Sequence, residues 1–189
     1  STIDIENEHK KGNLSILKVD KENNNIALGN VGFELYNDET RVCIGKYYTD
    51  ENGKIEIKNL RTGNYKLKEI STNEWYNLAE DQNIEIKWDE TTKTQVENEL
   101  KKGQIKVIKV DKENNEVKIP NVIFEVQDST GSVLEQIKTD ENGEALTSKY
   151  PLRDYKSLRL HEIKTDEKYE LSENIEEITL EENQIKTVQ

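Results

Sequence analysis

The stretch Leu14-Ser15-Ile16-Leu17-Lys18-Val19-Asp20 returns 91 positions later as Ile105-Lys106-Val107-Ile108-Lys109-Val110-Asp111. On an extended chain, residues i, i+2 and i+4 share a face. Leu14, Ile16 and Lys18 therefore share one face, and Ile105, Val107 and Lys109 share its counterpart. Each copy sets a lysine in line with two aliphatic side chains. The opposite face carries Leu17 and Val19 and is apolar as well, so spacing alone leaves open which face is buried.

The repetition continues outward from these strands. Ile5-Glu6-Asn7-Glu8 matches Val96-Glu97-Asn98-Glu99, and Lys10-Lys11-Gly12 matches Lys101-Lys102-Gly103. Asn30-Val31-Gly32-Phe33-Glu34 matches Asn121-Val122-Ile123-Phe124-Glu125, and Thr49-Asp50-Glu51-Asn52-Gly53 matches Thr139-Asp140-Glu141-Asn142-Gly143. The period exceeds the 20–50 residues or so of a solenoid unit, so the units are whole tandem domains. Lys-Lys-Gly at the boundary is too short for a flexible tether, which predicts domains standing end to end. Period-two alternation recurs at Phe33 and Leu35, Ile55 and Ile57, Tyr65 and Leu67, and Ile84 and Ile86. The Asp-Glu-Asn-Gly runs between such segments read as hairpin turns with glycine at positive φ. No helical period is sustained. The expected fold is all-β, two tandem β-sandwiches. The expected boundaries are 1–11 as the closing strand of a preceding repeat, 12–102 as repeat one and 103–189 as repeat two.

Composition narrows the function. The 189 residues hold 27 Lys+Arg against 39 Asp+Glu, a net charge of −12, with no basic stripe to offset it. Such a chain repels a phosphate backbone, which excludes nucleic acid as a partner. No apolar run approaches the ~20 residues of a membrane-spanning helix, so this stretch predicts no membrane insertion. Cys43 is the single cysteine, which excludes an internal disulfide framework and a CxxC metal site. Methionine is absent, so the chain is expected to be a piece of a longer protein with no leader left to read. Residues in the apolar and aromatic set make up only 32%. Domains this small and this polar usually need a staple, and neither a disulfide nor a metal is on offer.

Polar residues in apolar phase suggest one. Tyr65, Leu67 and Glu69 share a face, as do Leu158, Leu160 and Glu162, and Val96, Asn98 and Leu100. Buried unpaired charges are costly, so Lys, Glu and Asn should meet. One reading is a buried Lys–Glu ion pair with an asparagine bonded to it. The other is a reaction. Desolvation lowers the pKa of a lysine and raises that of a glutamate. A neutral amine is a nucleophile, and a protonated glutamate polarises a carboxamide and shuttles protons. The amine attacks, ammonia leaves, and an amide cross-link remains.

Several strings occur in a set order: Leu17-Lys18-Val19-Asp20-Lys21 and Ile108-Lys109-Val110-Asp111-Lys112, the Thr-Asp-Glu-Asn-Gly turn, Tyr65-Lys66-Leu67-Lys68-Glu69, and the closing Val96-Glu97-Asn98. In these the chain resembles the B-type repeats of Gram-positive collagen adhesins, also called the SpaA-type or prealbumin-like pilin domain, over almost its whole length. The resemblance implies inverse immunoglobulin-like (prealbumin-like) sandwiches, each with a self-formed Lys–Asn isopeptide bond. It makes Lys18 the amine donor, Asn98 the acceptor and Glu69 the catalyst, with Lys109 and Glu162 their counterparts in repeat two. Leu158 stands where the family usually has tyrosine, with one residue inserted before it. The second acceptor would fall two or three positions past Gln189, while Asn7 sits in a closing motif with no domain before it. The chain is therefore expected to be cut from a longer array, and Asn7 is a candidate acceptor for Lys109 of a neighbouring molecule in head-to-tail self-association.

The remaining candidates are weaker. Asp20, Glu22 and Asn24, or Asp50 and Asn52, lack the calcium-loop pattern and fit turn chemistry instead, so no metal and no cofactor are expected. His9 and His161 stand alone, with His161 expected to point outward. Cys43, between Val42 and Ile44, is expected to pack. Trp75 and Tyr76 are expected to serve end packing. No His, Cys or Ser constellation supports an enzyme acting on external substrate. The expected role is a structural stalk of an extracellular, cell-wall-anchored adhesin or pilus-like protein. Its partners would be neighbouring repeats. The alternative is a module that itself binds a host extracellular-matrix protein.

Overall fold

The structure is a computed structural model and describes residues 2–189. It divides into two compact units between Leu100 and Lys101, each two facing sheets with no helix among the described residues.

Repeat one contains β1 (Lys11–Asp20), β2 (Gly32–Asn37), β3 (Cys43–Tyr48), β4 (Lys54–Arg61), β5 (Gly63–Ser71), β6 (Gln82–Ile86) and β7 (Thr91–Asn98). One sheet has the order β4-β1-β7 and the other β3-β2-β5-β6. The first and last strands are neighbours: β1 pairs with β7 in parallel, placing Lys18 opposite Val96 and Asp20 opposite Asn98. The core decides which face of β1 is buried. Leu14, Ile16 and Lys18 are all fully buried, whereas Leu17 is half-buried. Phe33, Leu35, Tyr65, Leu67, Ile84, Ile86 and Val96 complete the layer between the sheets. Each such side chain contributes about 1.5–3 kcal/mol on leaving water.

The Thr-Asp-Glu-Asn-Gly turn does more than reverse the chain. Gly53 has φ +71°. A Cβ there would lie 2.4 Å from the Lys18 carbonyl oxygen, so both the backbone angle and the approach to β1 require glycine. The Thr49 hydroxyl is buried, accepting from Val31 N–H at 2.9 Å and donating to the Leu28 carbonyl at 2.8 Å. Thr139 does the same with Val122 and Ile119.

Repeat two contains β8 (Lys102–Ile108), β9 (Ile123–Gln127), β10 (Val133–Lys138), β11 (Glu144–Leu146), β12 (Tyr150–Pro151), β13 (Ser157–Lys164), β14 (Ile175–Thr179) and β15 (Ile185–Val188). Its sheets are β10-β9-β13-β14, and β8 flanked by β11 and β12 on one side with β15 in parallel on the other. The counterpart of β4 is thus broken in two. In the gap the Thr147 hydroxyl accepts from Ile105 N–H at 3.0 Å, replacing a ladder bond. The parallel pairing runs as far as Val188 opposite Val107. Residues 2–10 form no strand, and Ile3 and Ile5 are 84% and 87% exposed.

Candidate functional site

Three strands bring Lys18, Glu69 and Asn98 together. Lys18 is clamped through its backbone: its N–H donates to Gly53 O at 2.7 Å, and its carbonyl accepts from Leu28 N–H at 2.9 Å. Its side chain enters the core behind Leu14 and Ile16. Asn98 ends the neighbouring β7 and is 1% exposed. Glu69 comes from β5 in the facing sheet and is 4% exposed.

The glutamate sits between the other two. Its Oε2 is 3.5 Å from Lys18 Nζ and accepts from Ala79 N–H at 3.1 Å. Its Oε1 accepts from Asn98 Nδ2 at 2.6 Å. Lys18 Nζ also donates to the Val96 carbonyl at 3.2 Å. Burial strips water from the ammonium and lowers the Lys18 pKa to about 8, against the opposing pull of Glu69. Asn98 Oδ1 is buried and has no hydrogen-bond partner. An unpaired buried acceptor costs about 1–3 kcal/mol, so this carboxamide is held only partly satisfied beside a weakened ammonium.

In repeat two Lys109 Nζ lies 2.6 Å from Glu162 Oε2. Ser172 N–H donates to Glu162 at 3.4 Å, as Ala79 does to Glu69. Here the lysine side chain is 27% exposed while Glu162 stays 3% exposed. The pair lines a cleft of about 240 Å³ with Val107, Phe124, Leu160 and Val188. Asn7 is exposed in the irregular segment before β1.

Sequence reasoning missed one contact. The Tyr76 hydroxyl donates to Asp20 Oδ2 at 2.8 Å in the interior of repeat one. Tyr169 bonds Asp111 in the same way, and the Glu113 amide, followed by this hydroxyl, holds that carboxyl below the usual range. The recurrence of Asp and Tyr in both repeats was the available signal. Asp20 Oδ1 meanwhile accepts from Glu22 and Asn23 N–H, which is turn chemistry. No cluster of metal-ligating side chains occurs among the described residues. Cys43 corrects an expectation: it is exposed rather than packed, because β3 lies at the edge of its sheet. His161 is only partly outward, with a 34% exposed side chain and Nδ1 3.9 Å from Glu125.

Two sandwiches whose first and last strands lie in parallel, each with a lysine paired to a buried glutamate, define a class of surface-protein module. The model of the SpaA prealbumin-like fold domain matches residues 12–100 and again 103–189, and the chain belongs to that family. Domains of this family are structural rather than catalytic, and occur in surface proteins of Gram-positive bacteria. Among solved structures, the Bacillus anthracis TIE protein is 30% identical with a TM-score of 0.65, over 94% of this chain and 33% of that one. The chain thus spans about a third of that protein's length. A streptococcal ancillary pilin is 21% identical with a TM-score of 0.44, over 95% of this chain and 62% of that one. The shaft pilin SpaA of Lactobacillus rhamnosus GG is 12% identical with a TM-score of 0.42, over 93% and 96% of the two chains. A comparison with curated proteins gave no match.

Proposed function

We propose that this chain is a load-bearing stalk segment of an extracellular, wall-attached adhesin or pilus-like protein, and that repeat one is stapled by a self-formed Lys18–Asn98 isopeptide bond with Glu69 as catalyst. The observation that carries this reading is the fully buried Lys18 sharing one carboxylate with Asn98. A structural ion pair needs only two groups. Here Glu69 also grips a carboxamide whose oxygen is left bare.

The chemistry follows from the placement. The Lys18 ammonium passes a proton to Glu69, and the neutral amine adds to Asn98 Cγ. One Nζ proton reaches Nδ2 by way of Glu69. The Cγ–Nδ2 bond breaks and ammonia leaves, so each bond removes one ammonia from the mass. Lys109 and Glu162 support the same chemistry for repeat two with an asparagine supplied opposite Asp111, where Asn98 stands opposite Asp20.

Intact mass of the 189-residue chain tests the reading. The expected result is the calculated mass less one ammonia, with Glu69→Ala at the full calculated mass and no Lys18–Asn98 peptide after digestion. A parent chain at full mass would sink the proposal.

A further inference from the structure

The acceptor side chain of repeat one meets a group outside the Lys–Glu–Asn trio. Thr72 lies three residues after Glu69, just past the end of β5. Asn98 Nδ2 donates to Thr72 Oγ1 at 2.9 Å as well as to Glu69 Oε1 at 2.6 Å. Threonine and glutamate thus grip one end of the carboxamide while the other end is unpaired. Thr165 stands three residues after Glu162 in repeat two. Its hydroxyl is buried and has no partner among the described residues. A bare buried hydroxyl is costly, and both repeats keep a threonine hydroxyl at the same distance in sequence from the same carboxylate, bonded to the acceptor in repeat one and bare in repeat two.

We propose that Thr72, and Thr165 in repeat two, is a catalytic hydroxyl: it donates to the carboxamide oxygen of the acceptor asparagine and completes, with the protonated glutamate, a two-donor oxyanion hole. This rests on the cross-linking reading above.

The two ends of a carboxamide have nearly the same shape. The orientation present here suits an ionised Glu69, which only accepts. Once the Lys18 proton has moved to Glu69 and resides on Oε1, the oxygen that faces Asn98, the carboxyl becomes a donor. A half-turn about Cβ–Cγ of Asn98 then brings Oδ1 to the place of Nδ2 without displacing Cγ. There it faces the Glu69 O–H and the Thr72 O–H, at the 2.6 and 2.9 Å that Nδ2 now shows. The threonine spacing is that of an oxyanion donor, and the shorter glutamate spacing is that of a charge-assisted O–H···O⁻ bond. As Nζ adds to Cγ, the C=O electron pair moves onto Oδ1, where both donors stabilise it. Glu69 then gives its proton to Nδ2, held beside Oδ1 on the same tetrahedral carbon, and takes the excess proton from Nζ; as ammonia leaves, the pair returns and the carbonyl re-forms. Thr72 keeps its proton throughout.

The test follows ammonia loss by intact mass in freshly synthesised full-length chain. Compared are the parent, Thr72→Val, Thr72→Ser and Glu69→Ala, with the fold of each checked by circular dichroism. Removing one oxyanion donor elsewhere slows turnover by about 10²–10³, and a slowing of about that size is expected for Thr72→Val. Thr72→Ser should stay within about tenfold of the parent, because it keeps the donor. Should Thr72→Val fold poorly, Thr72→Cys, a weak donor of similar size, carries the same comparison. A purely structural Thr72 predicts a folded Thr72→Val that melts earlier but loses ammonia at the parent's rate, and that result overturns the proposal. So does Thr72→Ser as slow as Thr72→Val, since the methyl group would then be what matters. A parent that never loses ammonia is a different failure, that of the cross-linking reading itself.

Discussion

A lysine with no exposed surface is the anomaly from which the rest of the site follows. Burial brings the Lys18 pKa down to about 8 against the pull of Glu69 and, more weakly, Glu97, and its ammonium also donates to the Val96 carbonyl. That value sets the direction of a pH dependence. The reactive form is a neutral amine beside a protonated Glu69, so the pair must share one proton. Below about 8 the pair holds it. As pH rises through about 8 the proton is lost, leaving an amine that is free but a carboxylate with nothing to donate. The rate of ammonia loss in newly made chain should therefore fall on the alkaline side of about 8. A rate that climbs through the same range would make Glu69 a base only and remove its role as donor. The trio itself was legible in the sequence, because a charge in apolar phase stands out against period-two alternation. Thr72 was not legible: it lies in irregular chain after β5, where no period marks which way a side chain turns. Cys43 was misread because an edge strand alternates in sequence much as a buried one does.

At the scale of strands, each repeat pairs its first and last strands in parallel. β1 and β7 stay in register from Asn13 opposite Thr91 to Asp20 opposite Asn98, whereas β8 and β15 pair from Gln104 opposite Ile185 to Val107 opposite Val188. The break between β11 and β12 leaves β8 with fewer ladder bonds on its other side as well. The tandem repetition and the hairpin glycines were readable in the sequence. The break at Thr147 was not, since Ala145-Leu146-Thr147 gives no breaker signal. Continuing β15 in its present register gives a direct experiment. Appending a short apolar-alternating extension that sets an asparagine opposite Asp111 should cover the Lys109–Glu162 cleft and release a second ammonia. The same extension with aspartate in place of asparagine should lose no second ammonia. An asparagine version that gains no second loss would show that Lys109 and Glu162 form only an ion pair.

At the scale of the 189-residue chain, the proposed Lys18–Asn98 bond restrains repeat one. A cross-link that restrains the unfolded chain stabilises by about 2–4 kcal/mol when it is a disulfide, and an isopeptide should act similarly. Limited trypsin digestion should therefore open repeat two first, with fragments of repeat one persisting; early cuts within repeat one would contradict this order. The parallel pairing of β1 with β7 carries a further consequence for traction along the chain. A pull applied at the two ends of repeat one enters at the start of β1 and leaves at the end of β7. With Lys18 joined to Asn98, tension passes straight from one strand to the other. The roughly 80 residues between them, with every other strand of the sandwich, hang slack beside the load path. Stretched singly, the parent should give up none of that hidden length, whereas Glu69→Ala should release about 270 Å of it at about 3.4 Å per residue. The sandwich then acts as a housing around a single short tie, and its folding serves to make the tie rather than to bear the strain.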